Sequence, residues 1–245
     1  MSRLAAALLA TSLLLPLPAA AEEFTPAQQE EINRLVRQYI LDHPEVILEA
    51  VQALETRKQA EADGRRVAAI EQVYADLTEH PESPVVGNPA GDVVVVEFFD
   101  YNCGYCRKMT EDMFDLVEAD GGIRYVLKEL PIFGEDSRYA AKAALAAARQ
   151  DKYAEFHYAL MTAGVTIDVG TTRAIAQSIG LDLARLEADM LDPALDAELD
   201  RNYALARSLG VEGTPAMVIG KTFVPGARSY GDLEKLVAAA RARKS

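Results

Sequence analysis

The hydrophobic pattern changes period along the chain. Up to Leu77, apolar residues recur at helical spacing. Ile32, Leu35, Val36, Tyr39 and Ile40 form one stripe, Ile47, Val51 and Leu54 a second, and Val67, Ile70, Tyr74 and Leu77 a third. Thr25-Pro26-Ala27-Gln28 is a helix start: Thr25 can cap, Pro26 suits the first helical position, and Gln28 occupies the reciprocal capping-box position. Asp42-His43-Pro44 breaks the first stripe and restarts it. The polar run 57–66 holds Asp63 and Gly64, the weakest point of the helical pattern and either a hinge or a plain irregularity. His80-Pro81-Glu82-Ser83-Pro84 ends the segment.

Beyond residue 87 the pattern alternates between strand and helix. Gly87-Asn88-Pro89-Ala90-Gly91-Asp92 reads as a turn. Val93–Phe99 is β-branched and aromatic, the mark of a buried strand. Met109, Met113, Phe114, Leu116 and Val117 then follow at helical spacing, a helix that runs to about Ala119. After Asp120-Gly121-Gly122, residues Ile123–Leu130 form a second strand that ends at Pro131. A strand–helix–strand unit favours parallel pairing. Residues from about 135 to 209 are almost all helical, with breaks at Gly180 and Pro193. Ala216–Ile219 and Thr222–Val224 flank Gly220-Lys221 as a hairpin, and Tyr230–Arg243 is a last helix.

Composition narrows the function classes. The 245 residues are half apolar, with a formal charge of −13 and no basic cluster. Nucleic acid is therefore not an expected partner, because phosphate binding needs a basic face. Arg3, the apolar run Leu4–Leu17 and the small-x-small pattern before Glu22 read as a secretory signal peptide cut near Ala21. Export to the periplasm is the expectation. The expected domains are residues 1–21 as signal, 22–86 as an N-terminal helical segment and linker, and 87–245 as a catalytic domain with its helical insertion at about 135–209. The apolar faces within 22–86 are too few for an independent core. They pack either on the catalytic domain or on another copy of the chain.

Both cysteines of the chain lie in Cys103-Gly104-Tyr105-Cys106. The loop they close is too small to staple a fold, so the pair reads as chemistry rather than scaffold. Cys103 falls where a strand feeds a helix N-terminus, and there a thiolate is stabilised. Cys106 lies one turn later and can resolve a mixed disulfide. Glu97 sits inside the apolar strand, a costly place for a carboxylate. It is either a buried proton acceptor for the resolving thiol, near Lys128 on the next strand, or a residue on a solvated edge. Tyr101 and Tyr105 flank the pair as a rim for clients or as packed aromatics. Met109 and Met113 read as core. His43, His80 and His157 are scattered and read as surface or capping residues. No cofactor is implied. A structural zinc site wants four ligands, whereas two thiolates alone suit Cu(I).

The order β-α-β, helical block, β-β-α, with an acid-bearing strand, Cys103-Gly104-Tyr105-Cys106, and Thr214-Pro215 before a hairpin, resembles the DsbA family of periplasmic thiol–disulfide proteins over residues 87–245. The resemblance implies an α/β thioredoxin fold with a large helical insertion. It implies that Pro215 is the cis-proline beside the active site, preceded by Thr214, and that Glu97 is the family's buried acid. The helices from Thr25-Pro26, with the Asp42-His43-Pro44-Glu45-Val46 restart, resemble the N-terminal extension of ScsC-type proteins, the suppressor of copper sensitivity group. That likeness implies an oligomerisation segment, a homotrimer, disulfide isomerase activity on misoxidised exported clients, and reduction by a membrane thiol reductase. Gly104-Tyr105 lacks the histidine of the strong oxidases and resembles the dipeptide of periplasmic isomerases. A monomeric dithiol oxidase and a Cu(I)-binding copper-tolerance protein are the competing readings.

Overall fold

The computed structural model describes residues 24–243. The signal peptide expected at residues 1–21 lies outside them. The chain divides into two compact units, the second beginning at Gln59.

In the first unit, α1 (Pro26–Asp42) starts on a complete capping box. The Thr25 backbone N–H donates to Gln28 Oε1 at 2.9 Å, and the Gln28 N–H donates back to Thr25 Oγ1 at 3.4 Å. These bonds satisfy donors that a helix otherwise leaves open. His43 caps the C-terminus of α1, and α2 begins at Glu45. Leu35, Val36, Tyr39, Ile47, Leu48 and Val51 all remain exposed. The stripe read in the sequence is therefore present as an apolar face open to solvent.

α2 runs unbroken from Glu45 to Gln72. The polar stretch and Gly64 do not interrupt it, because helical hydrogen bonds are made by the backbone whatever the side-chain polarity. α3 (Tyr74–Thr78) follows. Five strands form one sheet, ordered β1 (Val85–Gly87), β3 (Ile123–Glu129), β2 (Val93–Phe99), β4 (Ala216–Ile219) and β5 (Thr222–Pro225). Among the described residues only β2 and β3 pair in parallel, joined by α4 (Gly104–Asp120); the other pairs are antiparallel. β1, which the pattern had left unassigned, is three residues long on the sheet edge, too short to show a period.

Side chains alternate across the sheet, and each face carries its own core. On one face Val95, Phe99, Tyr125, Leu127, Met217 and Ile219 pack with α4 and the helical insertion. On the other, Val96, Phe98, Val126 and Val218 pack with Ile70, Leu77, Leu205, Ala206 and Leu209. The boundary drawn before residue 87 thus falls inside the second compact unit. Ile70 and Leu77, fully buried, close the far face of the sheet.

The insertion comprises α5 (Glu135–Ala147), a 3₁₀ turn (Ala148–Gln150), α6 (Tyr153–Thr162), α7 (Val169–Ser178), α8 (Leu183–Asp189) and α9 (Pro193–Ser208). Six buried alanines of α5 let its neighbours approach closely. Arg149 bridges Asp192 at 2.5 Å and Asp189 at 3.4 Å, pinning the 3₁₀ turn to the α8–α9 connection. α10 (Tyr230–Ala242) closes the domain, with Arg241 paired to both Asp92 and Asp120. Among the described residues, no helix is long and apolar enough to cross a membrane.

Leu77→Ala tests the assignment of α3 to the catalytic core. A fully buried leucine truncated to alanine costs about 2–5 kcal/mol, read as a lower urea midpoint at unchanged slope. A loss below about 0.5 kcal/mol would show α3 to be peripheral.

Candidate active site

β2 delivers the chain to a turn, and the turn delivers Cys103 to the N-cap of α4. Asp100 builds that turn. Its backbone carbonyl accepts from Cys103 N at 3.0 Å; its Oδ1 accepts from Asn102 N at 2.7 Å and Ser137 Oγ at 2.8 Å. Its Oδ2 accepts from Phe133 N at 3.0 Å. Asn102 reaches the insertion: its side chain donates to Ile167 O and accepts from Ile167 N, both at 2.9 Å. The cysteine turn is therefore locked to the strand below it and to the helices beside it.

Both thiols are free and buried. The Cys106 backbone N–H donates to Cys103 Sγ at 3.3 Å, an N-cap bond with sulfur in place of the usual oxygen. The Cys103 thiol donates to the Thr214 carbonyl at 3.2 Å. Thr214–Pro215 is a cis peptide bond. The Cys103 pKa is lowered to about 6. The largest cause is a hydrogen bond from the Cys106 thiol; burial opposes it, and Thr214 and the N–H groups of Cys106 and Tyr105 add to the lowering. The Thr214 hydroxyl has no other partner among the described residues, so it is free to turn toward a thiolate. The thiolate is thus the favoured form of Cys103 near neutral pH in the dithiol state. Cys106 moves the opposite way, because burial penalises its charge and Cys103 and Glu97 lie close. The two sulfurs thus differ as a nucleophile and a resolving thiol must.

Glu97 lies in the middle of the sheet, opposite Leu127 on one side and Met217 on the other. The solvated-edge reading is excluded, since it is 3% exposed. Burial raises its pKa to about 8; the Tyr125 hydroxyl donates to Glu97 Oε2 and opposes the rise, while the Cys103 charge adds to it. Lys128 does not join Glu97. It stands one register step along β3, beside Phe98, and so projects to the opposite face. There its ammonium donates to Asp76 O at 3.0 Å and Ser83 Oγ at 2.6 Å.

Other expectations divide. Gly104 and Tyr105 open α4, with Tyr105 70% exposed beside the sulfur, whereas Tyr101 is buried and contributes nothing to a rim. Met109 and Met113 are core residues. His157 is neither surface nor cap. It is buried against Phe99, Phe114 and Tyr153, and burial lowers its pKa to about 3. A second buried acid went unread: Glu129 Oε1 accepts from Tyr101 at 2.9 Å and Tyr153 at 2.8 Å, and burial holds its carboxyl well above the usual range. The readable signal was position, because Glu129 shares the face of Tyr125 and Leu127 on a strand paired to β2. Among the described residues, no group of three or more His, Cys, Asp or Glu is gathered for a metal.

A dithiol of this polarity on a strand-to-helix turn, facing a cis-proline from the neighbouring hairpin, defines the class of thiol–disulfide oxidoreductases with a thioredoxin fold. The chain belongs to the DSBA-like thioredoxin domain family, whose model matches residues 94–238. Residues 28–61 match the model of the copper resistance protein ScsC N-terminal domain, which makes the chain an ScsC-like member. It is 45% identical to a thioredoxin-like oxidoreductase from Silicibacter pomeroyi, whose structure covers 70% of this chain and 98% of its own, with a TM-score of 0.67. It is 31% identical to ScsC of Proteus mirabilis in a transitional conformation, covering 90% of this chain and 98% of that one, again at 0.67. Among curated relatives, the Na(+)/H(+) antiporter NhaA of Herminiimonas arsenicoxydans is 27% identical over 70% of this chain, and the chain spans 27% of that protein's length.

Two outcomes follow from the electrostatics. Thr214→Val removes the hydroxyl that helps hold the thiolate, so the Cys103 titration, followed by thiolate ultraviolet absorbance, moves above its midpoint near 6. An unmoved midpoint would show that the hydroxyl plays no part. Glu97 takes up a proton on folding between its ordinary 4.5 and about 8. Stability therefore declines as pH rises through that window, with a limiting slope of about 1.4 kcal/mol per pH unit. In the oxidised protein, where no thiolate contributes, Glu97→Gln is expected to flatten this decline in urea unfolding. An identical pH profile in the variant would contradict the buried-acid account.

Proposed function

We propose that the protein is a periplasmic disulfide isomerase and reductase that acts on misoxidised exported proteins. The observation that carries the isomerase reading is the exposed apolar face of α1 and the first turns of α2. Such a face is stable in water when covered, and a second and third copy of the same segment would cover it. Residues 22–58 would then serve as the oligomerisation segment, and the chain from Gln59 onward as the catalytic domain. A trimer is the form the ScsC likeness supports, as are export and a membrane thiol reductase that keeps the dithiol reduced. Several thiols facing one client raise the local concentration of each.

The chemistry is thiol–disulfide exchange. The Cys103 thiolate attacks a client disulfide; a Cys103–client S–S bond forms, the client S–S bond breaks, and the second client sulfur leaves as a thiolate. In isomerisation a client thiolate elsewhere attacks the mixed disulfide, and Cys103 returns as a thiolate. In reduction Cys106 gives its proton to Glu97 and attacks Cys103 Sγ. The Cys103–Cys106 bond forms, the Cys103–client bond breaks, and the client sulfur leaves as a thiolate. The timing suits Glu97. Once Cys103 is in a mixed disulfide its charge is gone, and one cause of the raised Glu97 pKa goes with it. Thr214 and Pro215 form the wall on which the client backbone lies, and Gly104 and Tyr105 present the sulfur.

A dithiol oxidase is the second reading, and the depressed Cys103 pKa favours it. A stable thiolate is a good leaving group, which makes the disulfide form more oxidising. The two readings separate in one experiment. Light scattering of the full protein is expected to give an oligomer, and scrambled ribonuclease is expected to regain activity. Leu48→Glu with Val51→Glu, on the exposed face, should give monomers that keep Cys103 reactivity and lose most isomerase activity. A wild-type monomer, or undiminished isomerase activity in the dissociated variant, would overturn the isomerase assignment in favour of the oxidase.

A further inference from the structure

On the cis-proline side of Cys103, a groove of about 460 Å³ runs between α4 and the loop after β5. Tyr105, Lys108, Asp112, Pro215 and Arg228 line it. Its charge is opposite to that of the molecule. The chain carries a formal −13, yet this groove holds two cations against one acid.

Neither cation is neutralised by a carboxylate. Lys108 is exposed, one turn into α4, and has no hydrogen-bond or ion-pair partner among the described residues. Arg228 is half-buried, and its Nη1 donates to two carbonyls, Ala227 O at 2.9 Å and Gly226 O at 3.4 Å. Those bonds fix the guanidinium without cancelling its charge. The groove's one acid, Asp112, accepts from Tyr230 N at 3.2 Å through Oδ2, and the two cations remain in excess of it. A third cation stands on the other flank of the cysteine pair. Arg107 Nε donates to Met161 O at 3.2 Å, and its buried Nη2 has no partner.

We propose that Lys108 and Arg228 select client segments that carry an acidic side chain next to the reactive cysteine. The selection rests on the exchange chemistry proposed above and adds the specificity of the same site. A client disulfide bonded to Cys103 must lay its flanking residues along this groove. A carboxylate there meets a fixed guanidinium and a free ammonium, whereas a lysine there meets like charge. Charge complementarity of this kind acts chiefly on association rate and partner choice. Solvent-accessible pairs of this kind are weak, and the two together give roughly a fivefold preference.

The test uses the full-length reduced protein and three disulfide peptides that differ only in having Glu, Gln or Lys beside the cysteine. The second-order rate of mixed-disulfide formation is measured at low and high salt, with Cys106→Ala to trap the product. The Glu peptide is expected to react several-fold faster than the Lys peptide, with Gln between, and the ratio should shrink as salt screens the groove. Lys108→Glu with Arg228→Glu should invert the order. A shift in the Cys103 pKa would change all three rates together and leave the ratio unmoved, so the ratio reads the groove alone. Lys108→Glu is an exposed change, and it should lower the ratio by itself if the double variant folds poorly. Equal rates for the Glu and Lys peptides at low salt, or an order unmoved by charge reversal, would overturn the selection while leaving the exchange chemistry intact. No reaction with any peptide would overturn the exchange reading and the selection with it.

Discussion

Cys103 Sγ is the point on which the site depends. It occupies an N-cap, and the groups that hold its charge come from two separate places: the Cys106 thiol and N–H on α4, and the Thr214 side chain before the hairpin. Each place is fixed by something else. The central strand β2 sets where α4 begins, Asp100 and Asn102 set the turn between them, and the antiparallel pairing of β4 on β2 sets how close Thr214 comes.

The sheet below the cysteines is unusual in what it buries. β2 and β3 place two carboxyls, Glu97 and Glu129, on one face, each with tyrosine hydroxyls as donors. Isolated charges there would be costly, and both are held toward the neutral form. They differ in what surrounds them. Glu97 feels the charge on Cys103, whereas Glu129 is tied to Tyr101 of the cysteine turn and to Tyr153 of α6. The first lies within reach of the Cys103 charge, and the second ties the turn to the insertion.

The sheet also has a second working face. Lys128, fully buried, extends away from Glu97 and ties β3 to Asp76 and Ser83, and Ser83 in turn donates to Glu198 of α9 at 2.9 Å. The end of α2, α3 and α9 therefore close the far side of the sheet. The catalytic unit reaches back well before its first long strand.

Local pattern and spacing determined much of this protein. The apolar run of β2, the helical stripe of α4 and the turn at Asp120 identified the strand–helix junction, because a strand buried on both faces is apolar throughout and a half-buried helix repeats every 3.6 residues. Thr25, Pro26 and Gln28 announced the start of α1 for the same local reason. Tertiary structure decided the rest. The continuity of α2 through Gly64 and the three-residue strand β1 depend on backbone bonds that leave no hydrophobic period. Which face Lys128 takes was set by register between strands, and the burial of Tyr101 and His157 by helices far away in sequence. Cys103 could be read as reactive from its neighbours. Thr214, which adds to the lowering of its pKa, and Arg228, which lines the groove beside it, come from segments more than a hundred residues away, and only packing brings them to the sulfur.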